Sequence, residues 1–448
     1  MEMVRKMKLE KLLEEIDYQF IQGDLLQEVS QIDYDSRLVV DNSLFVCIPG
    51  ANVDGHDFID QVINKGAKVI VVEREVPYQA GITYLQVENA RKALAFLSCA
   101  FFDHPSRKMT VIGLTGTKGK TTTSYMVESI LQNAGKKVGI IGTIGSIVNG
   151  KFQKTKNTTP ESFELQRLMN EMVESGCEYC VMEVSSQGLM LNRVAGIDFD
   201  YGVFTNLSPD HIGKNEHSSF EHYMACKKML FQMCKVGIFN KDDEHYQDMI
   251  DQAACQIKTY SIHQASDLKA TDIQLYQGQG TLGVSFQTIG EMNAAFQTDI
   301  PGRFSVYNSL VAIMICHLLK IETKYIQEAL TKVRVRGRVE IVPVHQDYTV
   351  IIDYAHNAFS FESILETMEE YHPHRIYCVY GAGGKRDKKR RYDVGEVVAR
   401  HHAYSIVTAD NPRGESTRQI CEDIVTGINR VGGEYIIIED RKEAIHYA

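Results

Sequence analysis

The chain has 448 residues, 44% of them hydrophobic and 24% charged, with a formal net charge of −10. That length exceeds what one core organises, so two or three domains are expected, with the balance of an ordinary globular protein. The negative charge excludes nucleic acid as the principal partner, and no apolar run reaches the ~20 residues of a membrane helix, so no membrane insertion is expected.

The amino terminus is a charged amphipathic stretch over 6–15, unlike a secretory leader. Ten scattered cysteines are read without a C-x-x-C pair or a Cys/His cluster of zinc spacing, and Cys226, Cys234 and Cys378 lie in apolar contexts suited to reduced core residues. A cytoplasmic protein is expected, with a monomer favoured. Over 1–106, short strands (43–48, 67–72, 83–87) alternate with helical patterns (58–65, 90–102), giving a small α/β domain. Asp35-Ser36-Arg37 precedes the strand at 43–48 and Pro49-Gly50-Ala51-Asn52 follows it. Such residues either hold a ligand or make turns.

The segment 107–332 opens on an apolar strand over 111–114 that runs into Thr115-Gly116-Thr117-Lys118-Gly119-Lys120-Thr121-Thr122, then a helix over 120–134. Glycines let backbone N–H groups close on phosphate oxygens, and the helix start adds its positive dipole end. Lys120 is placed to reach the β/γ-phosphates and Thr121 to offer its hydroxyl to Mg²⁺. Leu114 stands where the P-loop pattern has its first glycine. ATP or GTP is the expected ligand.

Further strands are expected at 138–142, 179–184, 202–206 and 236–239, with helices at 161–175, 219–234 and 307–319. This is a doubly wound, largely parallel sheet, with ligands at the carboxyl ends of its strands. Asn157-Thr158-Thr159-Pro160, Glu183-Val184-Ser185-Ser186 and Asn206 to His211 fall there, with Thr159 expected to cap the helix that Pro160 opens. A carboxylate and an imidazole so placed, Glu183 and His211, can ligate Mg²⁺ or its waters; a structural acid and a hydrogen-bonded loop histidine are the alternatives. Lys227 shares its helix with Tyr223, Leu230 and Phe231, but spacing does not separate it from Lys228 as a solvated charge.

Over 333–448, strands at 349–352, 375–380, 405–409 and 434–438 alternate with helices in a second doubly wound sheet without a P-loop. The glycine-rich basic run at 381–391, with Arg386, and Asp410-Asn411-Pro412-Arg413 follow adjacent strands. Two Arg-bearing loops there fit an anionic small molecule; solvated surface is the alternative for the run.

With these residues placed, the chain resembles the Mur ligases, and within them the UDP-N-acetylmuramoyl-tripeptide synthetases, over essentially its whole length. The resemblance rests on Asp35-Ser36-Arg37, Thr115 to Thr121, Asn157 to Pro160, Met182 to Ser186, Asn206 to His211 and Tyr223 to Lys227. It continues through Asp353-Tyr354-Ala355-His356, Gly383 to Arg386 and Asp410 to Arg413. It implies three α/β domains: a UDP-binding domain at 1–106, a central P-loop ATPase domain at 107–332, and a mobile Rossmann-like ligase domain at 333–448. Relatives continue into another strand and a Gly-Lys-Gly-His-Glu segment, so the last domain is expected to be incomplete here.

The resemblance implies that ATP phosphorylates the carboxylate of UDP-N-acetylmuramoyl-L-alanyl-D-glutamate and that an amino acid's amine attacks the acyl phosphate. ATP and Mg²⁺ are the implied cofactors. Thr115 to Thr122, Asn308, Arg338, Asp353 and His356 correspond to ATP contacts. Thr121, Glu183, His211 and Lys227, the last as a carbamate, correspond to metal ligands; Lys120 joins the last three as the catalytic set. Tyr34, Ser36, Ala51, Asn52 and Val53 match the uridine site, and Asn157, Thr158, Thr159, Ser185 and Arg193 the muramoyl-peptide site. Arg386, Asp410, Asn411, Pro412 and Arg413 match the amino-acid site. Arg413 favours meso-diaminopimelate, whose second carboxylate it can grip, while 206–217 resembles lysine-adding relatives. Departures from the family pattern are Gln187, Leu191, Ser305 and Ala358-Phe359. A folylpolyglutamate synthetase-like ligase and a non-catalytic nucleotide-binding relative are the alternatives.

Overall fold

The strand Thr110–Thr115, sequence Thr-Val-Ile-Gly-Leu-Thr, has no polar face, which suits the middle of a parallel sheet covered on both sides. The computed structural model describes residues 6–448 apart from 51, 52, 211, 214, 215, 279, 345 and 346. It divides into two compact units, one of residues up to 269 with 289–292 and 307–329, the other of 270–288, 293–306 and 330–448. In the first unit Thr110–Thr115 lies between Tyr179–Glu183 and Phe199–Phe204, parallel to both. Val138–Ile141 continues the sheet on one side, and Cys234–Asn240 and Gln256–Ser261 on the other.

Strands therefore leave the P-loop strand in both directions, and the crevice at their carboxyl ends opens beside it. Among the described residues, no helix is long and apolar enough to cross a membrane.

Several local expectations change. The sheet is not wholly parallel: Ser146–Val148 and Lys151–Gln153 form an antiparallel hairpin at its edge. Its turn is Asn149-Gly150, both at positive φ (+48° and +73°), the pair that such a turn favours. The helix predicted over 219–234 stops at Lys228; a 3₁₀ turn, Met229–Gln232, buries adjacent Leu230 and Phe231 and delivers Cys234 to a strand. Thr159 does not cap the next helix, which runs Ser162–Glu174 with Glu161 in the cap position. Its hydroxyl instead bonds the Glu183 carbonyl at 3.0 Å and takes the Ser185 N–H at 2.9 Å. Cys177 and Cys180 are a C-x-x-C pair, but both are buried, and burial pushes the Cys180 thiol up to about 12. They are core packing.

A separate five-stranded sheet forms from the amino-terminal residues, in the order Gln19–Gln22, Thr83–Gln86, Val69–Val72, Ser43–Val46, Gln31–Asp33. The helix Ala90–Phe101 links this sheet to the central one. Phe101 and Phe102 pack on Phe163, Arg91 pairs with Glu161 at 3.4 Å, and Cys99 Sγ lies 3.5 Å from the Gly196 carbonyl.

In the second unit, Tyr377–Tyr380, Tyr404–Val407 and Tyr435–Ile437 form a three-stranded parallel sheet. The strand expected at 349–352 does not join it. Val350–Ile352 pairs antiparallel with Glu340–Val342, and Val350 and Ile352 remain exposed, unlike the two-sided burial a central parallel strand needs. The helices Lys389–Arg400 and Thr417–Arg430 pack through Val394, Val398, Ile420, Ile424 and Ile428.

Arg391, at the end of the basic run, is not solvated surface: its side chain is 1% exposed and reaches Asp423 and Glu415, each at 2.8 Å. Arg391→Ala leaves the buried Asp423 with only the exposed Lys388 at 3.9 Å and should destabilise the second unit by about 3 kcal/mol. Urea unfolding followed by circular dichroism checks this, and Arg391→Met with Asp423→Leu should recover most of the loss.

Candidate functional site

The chain passes from Thr110–Thr115 into the helix Lys120–Asn133 through Gly116 and Gly119, at φ +144° and +87°. A Cβ on Gly116 would stand 2.0 Å from Thr205 Oγ1, and one on Gly119 would stand 2.6 Å from Asn308 Oδ1. Only glycine meets both the backbone and the space requirement there. Thr117 N–H donates to the Asn206 carbonyl and Lys118 N–H to Asn206 Oδ1, both at 2.9 Å. The Thr117 and Tyr223 hydroxyls meet at 3.1 Å, and Thr123 Oγ1 donates to Asn308 Oδ1 at 3.2 Å. Thr115 and Thr122 are buried beneath the loop.

Lys120 curls over this loop, with Nζ donating to the Gly116 and Thr117 carbonyls at 2.7 and 3.0 Å. Lys227 reaches the same Gly116 oxygen at 2.9 Å and stacks over the Tyr223 ring at 4.4 Å. Its residue exposure is 2%, whereas Lys228 turns outward to Asp251. Burial, then the Lys120 cation, holds the Lys227 amine well below the ordinary lysine range.

Glu183 ends its strand in register with Leu114 and is buried. Its Oε1 accepts from Thr121 Oγ1 and Thr143 N–H, and its Oε2 from Thr143 Oγ1, all at 2.9 Å. His211 lies outside the described residues. Lys120, Thr121, Glu183, Lys227 and Asn308 are thus gathered on one loop and the strand ends beside it. This is an anion cradle flanked by hard oxygen donors.

The residues expected to touch the muramoyl-peptide adjoin it. Thr158 Oγ1 lies 3.1 Å from Thr143 Oγ1, and Ser185 caps Ser186–Met190 through Gly188 N–H at 3.0 Å. Arg193 is held by Glu161 at 2.6 Å and by the Thr159 carbonyl at 3.1 Å; Asn157 is exposed. Burial first, then Glu161, Glu164 and Asp35, pushes the Tyr34 hydroxyl up to about 12. Arg37 pairs with Asp35 at 2.6 Å and is the main cause holding that carboxyl down to about 2. The Ser36 carbonyl takes Lys65 Nζ at 2.8 Å, and Val53 is exposed. Ala51 and Asn52 lie outside the described residues.

Within the second unit, Asp353 accepts from Val339 and Ala355 N–H at 2.9 and 2.8 Å, and Arg338 stacks on Tyr354 at 4.8 Å. His356 is exposed, with Nδ1 3.2 Å from the Tyr354 carbonyl. The two Arg-bearing loops meet: Gly384 N–H donates to the Asn411 carbonyl at 2.8 Å, and a Cβ on Gly384 would fall 1.8 Å from the Pro412 oxygen. Arg386, Asp410, Asn411 and Arg413 are all exposed there, and Pro412 is partly so. Discrimination by a buried arginine therefore does not operate in this conformation, because water screens both guanidinium groups.

Three family profiles match the chain in series. Residues 28–102 match the "Mur ligase family, catalytic domain", 114–316 the "Mur ligase middle domain", and 337–448 the "Mur ligase, glutamate ligase domain". The chain belongs to the Mur ligase family. Its members are ATP-dependent ligases, and this chain is an enzyme of that class. A relative from Clostridium acetobutylicum, named UDP-N-acetylmuramoyl-L-alanyl-D-glutamate–2,6-diaminopimelate ligase 1, is 40% identical over 445 residues, covering 99% of this chain and 91% of its own. A diaminopimelate ligase of the same designation from Clostridium perfringens is also 40% identical, over 449 residues, with the same coverage. A solved structure of such a ligase superposes with a TM-score of 0.74 at 25% identity, covering 99% of this chain and 90% of that one.

The Mur ligase site also uses residues that sequence reading did not single out. Thr143 bonds both oxygens of Glu183, Thr205 donates to the Lys118 carbonyl at 2.7 Å, and Glu161 clamps Arg193. Their one shared signal is position just past a strand or just before a helix. The departures are accommodated locally. Ser305 Oγ donates to the Gly302 carbonyl at 2.7 Å, and Ala358-Phe359 opens a helix capped by Asn357 and Ser360.

Gly116→Ala should lower stability by about 1–3 kcal/mol and abolish the thermal stabilisation given by ADP. Gly135→Ala, also at positive φ (+76°) but with nothing within 4 Å, should cost only about 1 kcal/mol and leave nucleotide binding intact. Urea unfolding and thermal shift with and without ADP check both.

Proposed function

We propose that this Mur ligase joins meso-diaminopimelate to UDP-N-acetylmuramoyl-L-alanyl-D-glutamate at the expense of ATP, in peptidoglycan precursor synthesis in the cytoplasm. The observation that carries the reading is 40% identity, over 99% of this chain, to relatives named for that reaction. Residues 1–106 would hold the UDP end, 107–332 ATP, and 333–448 the amino acid.

The residues present fit the chemistry. The substrate carboxylate attacks the γ-phosphorus, forming an acyl phosphate and releasing ADP. The diaminopimelate amine then attacks the acyl carbon, the C–O bond to phosphate breaks, and an amide forms as the amine sheds its proton. Both steps bring anions together, so cationic groups must offset their repulsion. Lys120 is the loop cation that reaches the β/γ-phosphates. Arg193, Thr158 and Ser185 orient the muramoyl-peptide, and Arg338, Asp353, His356 and Asn308 hold ATP.

Thr121 and Glu183, with buried oxygen donors on both sides, suit a hard divalent cation. Mg²⁺ held there, and a second Mg²⁺ held by His211 and a carbamate on Lys227, would offset charge on the phosphate oxygens. Lys227 fits that modification because burial lowers its amine well below the ordinary lysine range and so favours the nucleophilic, unprotonated form. Its lone pair bonds the carbon of CO₂ and a proton leaves to solvent, turning a nitrogen donor into an anionic oxygen ligand.

Lys227→Ala should lower kcat by about 10²–10⁴-fold, and added acetate or formate should restore part of it by supplying the missing oxygen ligand. Full activity without added carboxylate would remove Lys227 from the mechanism.

A competition between meso-diaminopimelate and L-lysine tests the amino acid. The former should be incorporated preferentially, and Arg413→Ala should reduce that preference by about 1 kcal/mol, through the lost bidentate pair of a solvated guanidinium. Preference for L-lysine, unaltered in Arg413→Ala, would overturn the assignment and leave the ligase class standing.

A further inference from the structure

We propose that His217, His222 and Cys226 form a binding site for a thiophilic divalent cation of the Zn²⁺ class, separate from the oxygen donors around Thr121 and Glu183. One ligand atom from each of the three lies within 4.8 Å of the others, and no other such group occurs among the described residues. The sequence spacing hides the group because His217 precedes the helix Phe220–Lys228, whereas His222 and Cys226 stand one turn apart on it. Residues at i and i+4 share a helix face, the arrangement by which paired ligands reach one ion.

Two features distinguish this group from a chance cluster. Each imidazole has a serine on one ring nitrogen, which fixes its orientation: His217 Nε2 lies 2.8 Å from Ser186 Oγ, and His222 Nδ1 lies 3.2 Å from Ser218 Oγ and accepts the Ser218 N–H at 3.4 Å. Metal-bound histidines are held in this way by a hydrogen bond to the second nitrogen. The donor set is one nitrogen of each histidine with Cys226 Sγ, ligation through His222 Nε2 requiring its ring proton to move to Nδ1 and be donated to Ser218 Oγ. N₂S donors select Zn²⁺ over Mg²⁺, which demands oxygen. The site also has an inner and an outer side. His217 is fully buried and Cys226 nearly so, while His222 is partly exposed and offers an entry path.

The location gives the site a consequence. The His217 ring packs on Tyr223 at 5.2 Å and on His222 at 5.1 Å, and Tyr223 in turn carries Lys227 on its face. An ion at the three ligands ties the loop ahead of the helix to the helix that presents Lys227. It fixes the helix position without touching the nucleotide loop.

The test uses the reduced, metal-free, untagged full chain in excess Mg²⁺, titrated with Co²⁺ under argon. One equivalent should produce a thiolate-to-cobalt charge-transfer band in the near ultraviolet with tetrahedral visible bands, and one equivalent of Zn²⁺ should bleach them. Zn²⁺ should also raise the unfolding temperature. Cys226→Ser should lose the charge-transfer band, and His222→Gln, a change at a partly exposed position that keeps the fold, should weaken Co²⁺ binding about 10-fold or more. The absence of a charge-transfer band in the unaltered chain would overturn the proposal. So would a band retained in full by Cys226→Ser or His222→Gln, which would assign the metal to another of the ten cysteines.

Discussion

Two lysine side chains converge on one carbonyl oxygen, that of Gly116, and the rest of the site depends on how that is tolerated. Lys120 and Lys227 both donate to it. Two ammonium groups so placed repel, and one of them is fully buried, so the charged form of Lys227 is disfavoured and its amine is held well below the ordinary lysine range. A neutral amine beside a phosphate cradle does little for an anion by itself, but it can accept CO₂ and become an anion's counterpart through a metal. The glycine makes the convergence possible. At φ +144°, against Thr205, it presents its carbonyl where a residue with a side chain could not.

The central sheet delivers the other groups without any of them being adjacent in sequence. Glu183 ends the strand on one flank of Thr110–Thr115 in register with Leu114, and Phe204 ends the strand on the other flank in register with Thr115. Whatever follows those strands is brought to the mouth of the loop. Glu161 extends the same logic to the amino-terminal sheet. Its two oxygens take Arg193 and Arg91, so one carboxylate joins the buried Arg193 to the helix Ala90–Phe101. A partly buried pair shared in this way has geometric value even where its net stabilisation is small.

In the second unit a different arginine has the organising role. Arg391 reaches Asp423 on one helix and Glu415 near the other Arg-bearing loop, and Glu415 also accepts the Lys385 N–H. The two loops that carry Arg386 and Arg413 are therefore braced from beneath by a buried ion pair while their own guanidinium groups stay in water. Bracing from below with free cations above is suited to a ligand that arrives from solvent carrying its own negative charge.

The sequence by itself determined the P-loop, the alternation of strands and helices, and the family, because these are local: glycines at a strand end, a lysine and threonine opening a helix, motifs in fixed order. It also held the Asn149-Gly150 hairpin, whose turn chemistry is unambiguous but whose flanking strands are short. It could not separate Lys227 from Lys228, since one residue turns a helix by about 100° and only the packing partners decide which side is inside. It could not assign Arg391, read as part of a solvated basic run, or the 349–352 strand, whose composition fits either an antiparallel pair or a parallel sheet. It could not bring His217 to His222 and Cys226. In each case the decision belongs to contacts between segments distant along the chain, and burial, not residue type, sets whether a charge is paired, neutral or solvated.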